Sequence, residues 1–475
     1  MSFNFMPVER DQLWLMPVSM TEWLPDDHLA WFIIDIVDEL DLSAFVNQYR
    51  EDGRGGRAYH PGVMLAVLIY AYCVGERSSR RIERKLVEDV GFRVVAANQR
   101  PDHATLARFR AGHQDAIAGL FGQVLHVCHR AGLLDSGVVA VDGTKLAGNA
   151  SREASFTAQE LAERIMQEAA DIDQAEDLDE VGAGGRMDAG VLGKRGKDRQ
   201  QRMRALLAEL DQDAAEHSYD AHMRQRAAQE VVTGRPLRGR HPVPTAATHR
   251  GRTQANVTDP DSRLLPTRRG FVQGYNAQAV VNQSQVIVAA QATNSVSDRG
   301  WFKPMLDQAQ ANIAQVGGSS VSVALADAGY WATDNVDVPG VDVLIAPGRA
   351  RNLDELARRE YERDVVLTQV ETGQMDTDHA GAILGMTRTR VNQLLRARRH
   401  GHEPLTAMMT KRLDTPDGRN LYHQRKIIIE PVFGQIKQDR GFRSLQRRGL
   451  AAVDSEWKLI CATHNLLKVF RHQER

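Results

Sequence analysis

The 475-residue chain has no apolar run approaching the roughly 18 residues that a bilayer crossing needs, so a membrane-spanning helix is not expected. Its first residues, MSFNFMPVERDQLWLMPVSM, lack the basic-then-apolar order of a secretory signal. Cysteine is scarce. Cys73, Cys128 and Cys461 are scattered and odd in number, which gives neither a metal-ligand spacing nor a disulfide framework. Each reads as a small buried apolar residue of a soluble protein in a reducing cytoplasm. A large net charge is also missing: the formal total is −1, so the sum gives no hint of a polyanionic partner.

The distribution of charge does give one. From Arg388 to Arg448 there are about three basic residues to each acidic one, an excess suited to phosphates. Hydrophobic content of 42% suffices for real cores, and the length predicts two or three folding units.

Residues 1–130 read as an all-helical domain, since LAWFIIDIVDEL, PGVMLAVLIYAYCVG and AIAGLFGQVLHVCHRAGLL carry apolar residues at helical spacing. The Arg77–Arg84 cluster and Arg108/Arg110 read either as phosphate contacts or as a solvated helical face. The pattern then changes. GVVAVDG (137–143) is a short strand ending in an acid, and 275–291 reads as two alternating strands joined at Gln283–Ser284. A helix at about 301–316 and the strands VSVALAD (321–327) and VDVLIAP (341–347) follow. This order predicts an α/β unit over 131–475, a mixed sheet covered by helices.

Two helical insertions interrupt it. In 151–250, the stretches 156–175 and 198–231 carry Leu161, Ile165 and Ile172, then Met203, Leu206, Leu207 and Leu210, as the facing sides of a helical hairpin. In 351–420, Ala380, Ile383, Leu384, Met386, Val391 and Leu394 are spaced to pack a helix-turn-helix across Gly385. Its second helix offers Arg388, Arg390, Asn392, Gln393 and Arg396 to DNA, followed by Arg398 and Arg399.

Three acids carry the candidate chemistry. Asp142 and Asp327 each end an apolar strand beside small residues, and Glu430 lies between an isoleucine block and a basic run, with Lys437 two helical turns on. Brought together, three carboxylates repel one another unless cations bind. Hard oxygen ligands select Mg²⁺ or Mn²⁺, and two such ions suit phosphodiester cleavage.

Four segments, VVAVDGTKLAGNAS, DPDSRLLPTRRGFVQGYNAQAVV, LADAGYWATDN and IEPVFGQIKQDRGFRSLQRRGL, resemble the catalytic segments of bacterial insertion-sequence transposases of the Asp-Asp-Glu type. The likeness extends to HPGVMLAVLIYAYCVGERSSRRIE in the helical region. The resemblance implies an RNase H-like core, metal ligands Asp142, Asp327 and Glu430, two Mg²⁺ ions and cut-and-paste transfer. It also implies terminal inverted repeats and target DNA as partners, a homodimer on DNA, and a DNA-binding or dimerisation role for 1–130.

Relatives carry a Tyr-x2-Arg-x3-Glu-x6-Lys signature, which Lys437 fits. Upstream the spacing is one residue too long: counting back from Glu430, His423 and Lys426 stand where Tyr422 and Arg425 are expected. A regular helix puts Lys426 on the glutamate's face and Arg425 off it, whereas a kink at Pro431 restores Tyr422 and Arg425. The expected DNA contacts are therefore Tyr422, Arg425, Lys426, Lys437, Arg440 and Arg443. Alternative readings are a nuclease of the same core without transfer activity, and an inactive DNA-binding regulator.

Overall fold

The computed structural model describes residues 19–49, 58–134, 137–157, 159–164, 254–267, 270–347, 353–399 and 405–473, with 167, 201, 203 and 205–208. The chain divides into two units, Met1–Ala131 with Leu459–Arg475, and Gly132–Lys458.

In the first unit the described residues up to Ala131 form helices and turns: α1 (Leu29–Glu39), α2 (Pro61–Cys73), α3 (Ser79–Glu88), α4 (Val90–Val95), α5 (His103–Gly112) and α6 (Gln114–Arg130), besides the short turns at Met20–Glu22 and Ser43–Val46. Helix α2 is apolar on all sides and nearly every residue of it is buried, so it forms the centre of this unit. Helix α3 is its opposite: Ile82 and Leu86 face inward while Arg80, Arg81 and Arg84 are exposed. Arg110 turns inward, donating to the Arg77 carbonyl at 2.9 Å and to Ser79 Oγ at 2.5 Å. Arg110 therefore fits neither reading of the arginines, because its guanidinium braces the start of α3. Cys73, Cys128 and Cys461 are buried, and none forms a disulfide. No helix among the described residues is long and apolar enough to cross a membrane.

The second unit is built on one sheet. Its strands are β1 (Val138–Ala147), β4 (Arg263–Thr267), β5 (Gly270–Asn282), β6 (Ile287–Thr293), β7 (Val323–Ala326) and β8 (Asp342–Ile345), while β2 (Ser155–Thr157) and β3 (Gln254–Asn256) form a separate pair. The order runs β6-β5-β1-β7-β8, with β4 also on β5. Strands β1, β7 and β8 are parallel, and β5 is antiparallel to β1, β4 and β6. The hairpin turns at Gln283–Ser284 as expected, but its strands do not alternate in burial. From Gln273 to Asn282 every residue of β5 is buried, because helices cover the sheet.

Close approach of backbones leaves no room for a side chain at Gly274, where an added Cβ would lie 2.0 Å from the Leu146 carbonyl of β1. Gly274→Ala should therefore destabilise the protein by about 3 kcal/mol or more, read as a drop in the urea midpoint. An unchanged midpoint would contradict this packing.

Helices follow the strands: α7 (Phe302–Gln315), α8 (Leu353–Glu371), α9 (Thr377–Leu384), α10 (Arg388–Arg399), α11 (Leu405–Asp414), α12 (Pro416–Gly434) and α13 (Leu450–Gln473). Fully buried Trp457 of α13 donates its indole N–H to the Gln278 carbonyl of β5 at 2.9 Å. In the first insertion, residue 156 is in β2 rather than in a helix, and helix begins among the described residues at 159. Leu161, Met203 and Leu206 do meet, in a buried cluster with Ala255. Ile165, Ile172, Leu210 and most of the expected hairpin lie outside the described residues.

Candidate active site

Asp142 does not end its strand. It pairs with Ala279 of β5, and that antiparallel ladder continues to Ala147 opposite Gly274. The parallel ladder on the other edge stops one residue earlier, at Val141 opposite Ala326. Asp142 therefore sits where β7 leaves β1, and Asp327 is the residue just after β7. Asp327 caps the helical turn Ala328–Tyr330, accepting from the Gly329 N–H at 2.8 Å. The Gly143 N–H donates to Asp142 Oδ1 at 2.8 Å. Burial and then the charge of Asp327 push the Asp142 carboxyl up to about 7, against the pull of Arg425.

Helix α12 crosses this point. Thr415 caps it, Pro416 occupies its first turn, and Ile428, Ile429 and Val432 are buried. Pro431 has no N–H to offer the Ile427 carbonyl, and Gln285 of the β5–β6 hairpin donates to that oxygen instead, at 3.0 Å. Helical structure thus runs through Pro431 to Gly434 and widens into a π-turn over Gln435–Asp439.

The register falls to Tyr422 and Arg425. The Tyr422 hydroxyl donates to the Ala326 carbonyl, next to Asp327, at 3.2 Å. Arg425 is only 13% exposed, and its guanidinium reaches Asp142 at 3.3 Å and Glu430 at 3.8 Å. His423 and Lys426, which a regular helix would have placed at the site, are turned away from it: His423 is exposed and Lys426 reaches neither aspartate. Lys437 turns back onto β1, donating to the Lys145 carbonyl at 3.2 Å, and its burial lowers the ammonium pKa.

Glu430 stands apart from the two aspartates. Its side chain is 57% exposed and it meets Asp142 only through Arg425. Among the described residues no three acids, histidines or cysteines are close enough together to hold a metal ion. The expected crowding of three carboxylates is thus a neighbouring pair of aspartates plus a glutamate one guanidinium away. The pair still fits a divalent cation: its oxygens are hard ligands, and burial and mutual repulsion leave Asp142 short of positive charge.

Two expected phosphate contacts divide. Arg440 is buried, with its guanidinium over the Phe442 ring, so it packs the turn after α12 and is not offered to a ligand. Arg443 is exposed, donating to the Lys437 carbonyl at 3.2 Å and to Gln438.

Sequence reasoning misses a polar group behind the aspartates: Lys145, Asn276, Gln278, Asp298 and Tyr330. Its signal is present in YNAQAVV, where Asn276 and Gln278 alternate with apolar residues and look like the solvated side of a strand. Both are fully buried.

The helix-turn-helix forms as α9 and α10, with Gly385 in the left-handed region (φ 64°) closing α9. Ala380, Val391, Leu394 and Leu395 pack with Val366 and Leu367 of α8, so a third helix completes the core. Ile383 is excluded from it, at 53% exposure. Arg390, Gln393 and Arg396 lie on the second helix, and Arg390 donates to Gln393 Oε1 at 3.2 Å while Asn392 is half-buried. Arg388 pairs with Asp378 at 3.2 Å, and Arg398 is held by Asp364 at 3.1 Å and Glu371 at 3.6 Å. The Arg399 side chain lies outside the described residues.

Two known domain families match the chain. Residues 18–112 match a family described as Transposase domain (DUF772), and residues 386–470 match one described as Transposase DDE domain. The second match takes in α10 and the whole Tyr422–Lys437 stretch, while Asp142 and Asp327 precede it. No curated protein and no solved structure matches the chain.

Proposed function

We propose that this chain is an insertion-sequence transposase of the Asp-Asp-Glu type, a reading its two domain matches support, and that it cuts and joins DNA strands at Asp142, Asp327 and Glu430. The observation that carries the reading is the meeting of Asp142 and Asp327 at the divergence of β1 and β7, beneath an arginine from the helix that bears Glu430. The sheet order, with β5 alone antiparallel to its central neighbours, supports an RNase H-like core.

Asp142, Asp327 and Glu430 would hold Mg²⁺, with Mn²⁺ as a substitute, which requires Arg425 to give up its two carboxylates. Two such ions would supply activation of the attacking oxygen and stabilisation of the leaving one. The protein's own groups do the rest. Arg425, released from Asp142, and Lys437 and Tyr422 around it line the path of the scissile phosphate. Arg443 and Lys426, both exposed, are further phosphate contacts in this reading. The apolar contacts of Ile428, Ile429 and Val432 fix the height of Glu430 over the sheet.

Helix α10 reads the terminal inverted repeats through Arg388, Arg390, Asn392, Gln393 and Arg396, and a homodimer on DNA holds two ends together. Arg390→Ala or Arg396→Ala should weaken binding to an element end about tenfold and lower the salt slope by about one ion if the lost contact is to phosphate. Fluorescence anisotropy at several salt concentrations measures both. Unchanged affinity in both variants would remove α10 from the interface.

The decisive experiment incubates purified protein with the inverted repeats flanking its coding region, in Mg²⁺ and in EDTA. Metal-dependent cutting at the ends followed by joining to target DNA is expected. Cutting without joining favours a nuclease, and binding without cutting favours a regulator.

A further inference from the structure

Residues that touch across an antiparallel ladder share a face. Asp142 faces with Ala279, so Gly143 and Lys145, paired with Gln278 and Asn276, lie on the reverse of the sheet. There a single carboxylate collects them. Asp298 Oδ1 accepts from Asn276 Nδ2 at 2.5 Å, Gln278 Nε2 at 2.8 Å and Lys145 Nζ at 3.0 Å, and Lys145 also reaches Oδ2 at 3.2 Å. The Tyr330 hydroxyl, just past Asp327, donates to Gln278 Oε1.

This carboxylate lies against Gly143, next after Asp142, and near Gly329, two residues after Asp327. A Cβ at Gly143 would come 2.9 Å from Asp298 Oδ1, and one at Gly329 would come 3.7 Å from Asp298 Oδ2. Stability alone does not account for the arrangement. Asn276 donates both its hydrogens, to Asp298 and the Ser295 carbonyl, while its buried Oδ1 meets no donor, at a cost to folding.

We propose that Asp298 is a positioning residue of the active site, whose carboxylate, braced by Lys145, Asn276 and Gln278, fixes from behind the part of β1 that carries Asp142 and the turn after β7 that carries Asp327. The inference rests on the reading of those aspartates as metal ligands. Groups that orient ligands from outside the metal shell typically govern affinity by 10–100-fold.

The test titrates Mn²⁺ into the full chain, with the free ion counted by electron paramagnetic resonance, for the parent, Asp142→Asn, Asp298→Asn and Gly143→Ala. Each variant is measured below its melting temperature, so a purely structural role would leave the affinity of the folded protein unchanged. Asp298→Asn should weaken Mn²⁺ binding about tenfold or more. Gly143→Ala, which drives a methyl group toward the same carboxylate and Gln278, should do likewise. An affinity within about threefold of the parent in folded Asp298→Asn overturns the proposal, and the same threshold applies to Gly143→Ala if Asp298→Asn does not fold. A parent that binds no Mn²⁺, or an Asp142→Asn form that binds it equally well, overturns the ligand reading itself and this inference with it. The two failures are therefore distinguishable.

Discussion

Asp142→Asn should abolish strand cleavage and yet make the metal-free protein harder to unfold at neutral pH. The loss of cleavage, about 10³-fold or more, follows if Asp142 is the proposed oxygen ligand at the reacting centre. The gain in stability follows from linkage. Folding raises the Asp142 carboxyl from its ordinary 3.8 to about 7, through burial first and Asp327 second. Between those values the unfolded chain has released the proton and the folded chain has kept it. Native stability therefore falls as pH rises from about 4 to about 7, and the deficit persists above that range.

A full shift of this size corresponds to about 4 kcal/mol, and partial exposure with loss of the Arg425 pair reduces the expected gain to about 1–2 kcal/mol. Thermal melts in EDTA at pH 5 and pH 8 measure it: the variant's advantage should grow with pH. Adding Mg²⁺ should stabilise the parent and not the variant. A variant melting below the parent at pH 8 in EDTA would show that Asp142 is not the strained acid of the site.

Glu430→Gln should lose cleavage to a similar degree with almost no change in stability. Its side chain is more than half exposed and its ion pair with Arg425 is long, at 3.8 Å, so the change in folding free energy should stay within about 0.5 kcal/mol. Cleavage assays and melts on the same preparation separate the two quantities. Retained cleavage would take Glu430 out of the reaction. The contrast with Asp142 is informative, because one carboxylate is held in place by the fold and the other is largely exposed.

Local pattern carries much of this into the sequence. The polar break at Gln283–Ser284, the short strand before Asp327 and the glycine at the α9–α10 turn act through neighbours in the chain, so each is legible. Non-local pairing is not. GVVAVDG looks finished at its acid and glycine, yet β1 continues because β5, far along the chain, is long enough to pair with it. Asp298 sits in a polar loop whose residues name no partner. It gains its role from Lys145, Asn276 and Gln278, which only the folded sheet brings to it. The helix-turn-helix is legible as a pattern, but spacing alone puts Ile383 in its core, because it counts two helices where three share one. Around Glu430 the ideal-helix count favours Lys426. Packing of α12 on the strand ends buries Arg425 instead, and this outweighs simple spacing.

Surface turns between hairpin strands usually accept an extra residue at little cost. The β5–β6 turn is different, because it holds α12 at two places: Gln285 caps the carbonyl that Pro431 leaves open, and Gln283 donates to Gln424 at 2.7 Å. The turn works as a spacer whose length sets where the glutamate's helix lies along the sheet. Lengthening it by one residue would slide Glu430 relative to the aspartates without altering any of the three.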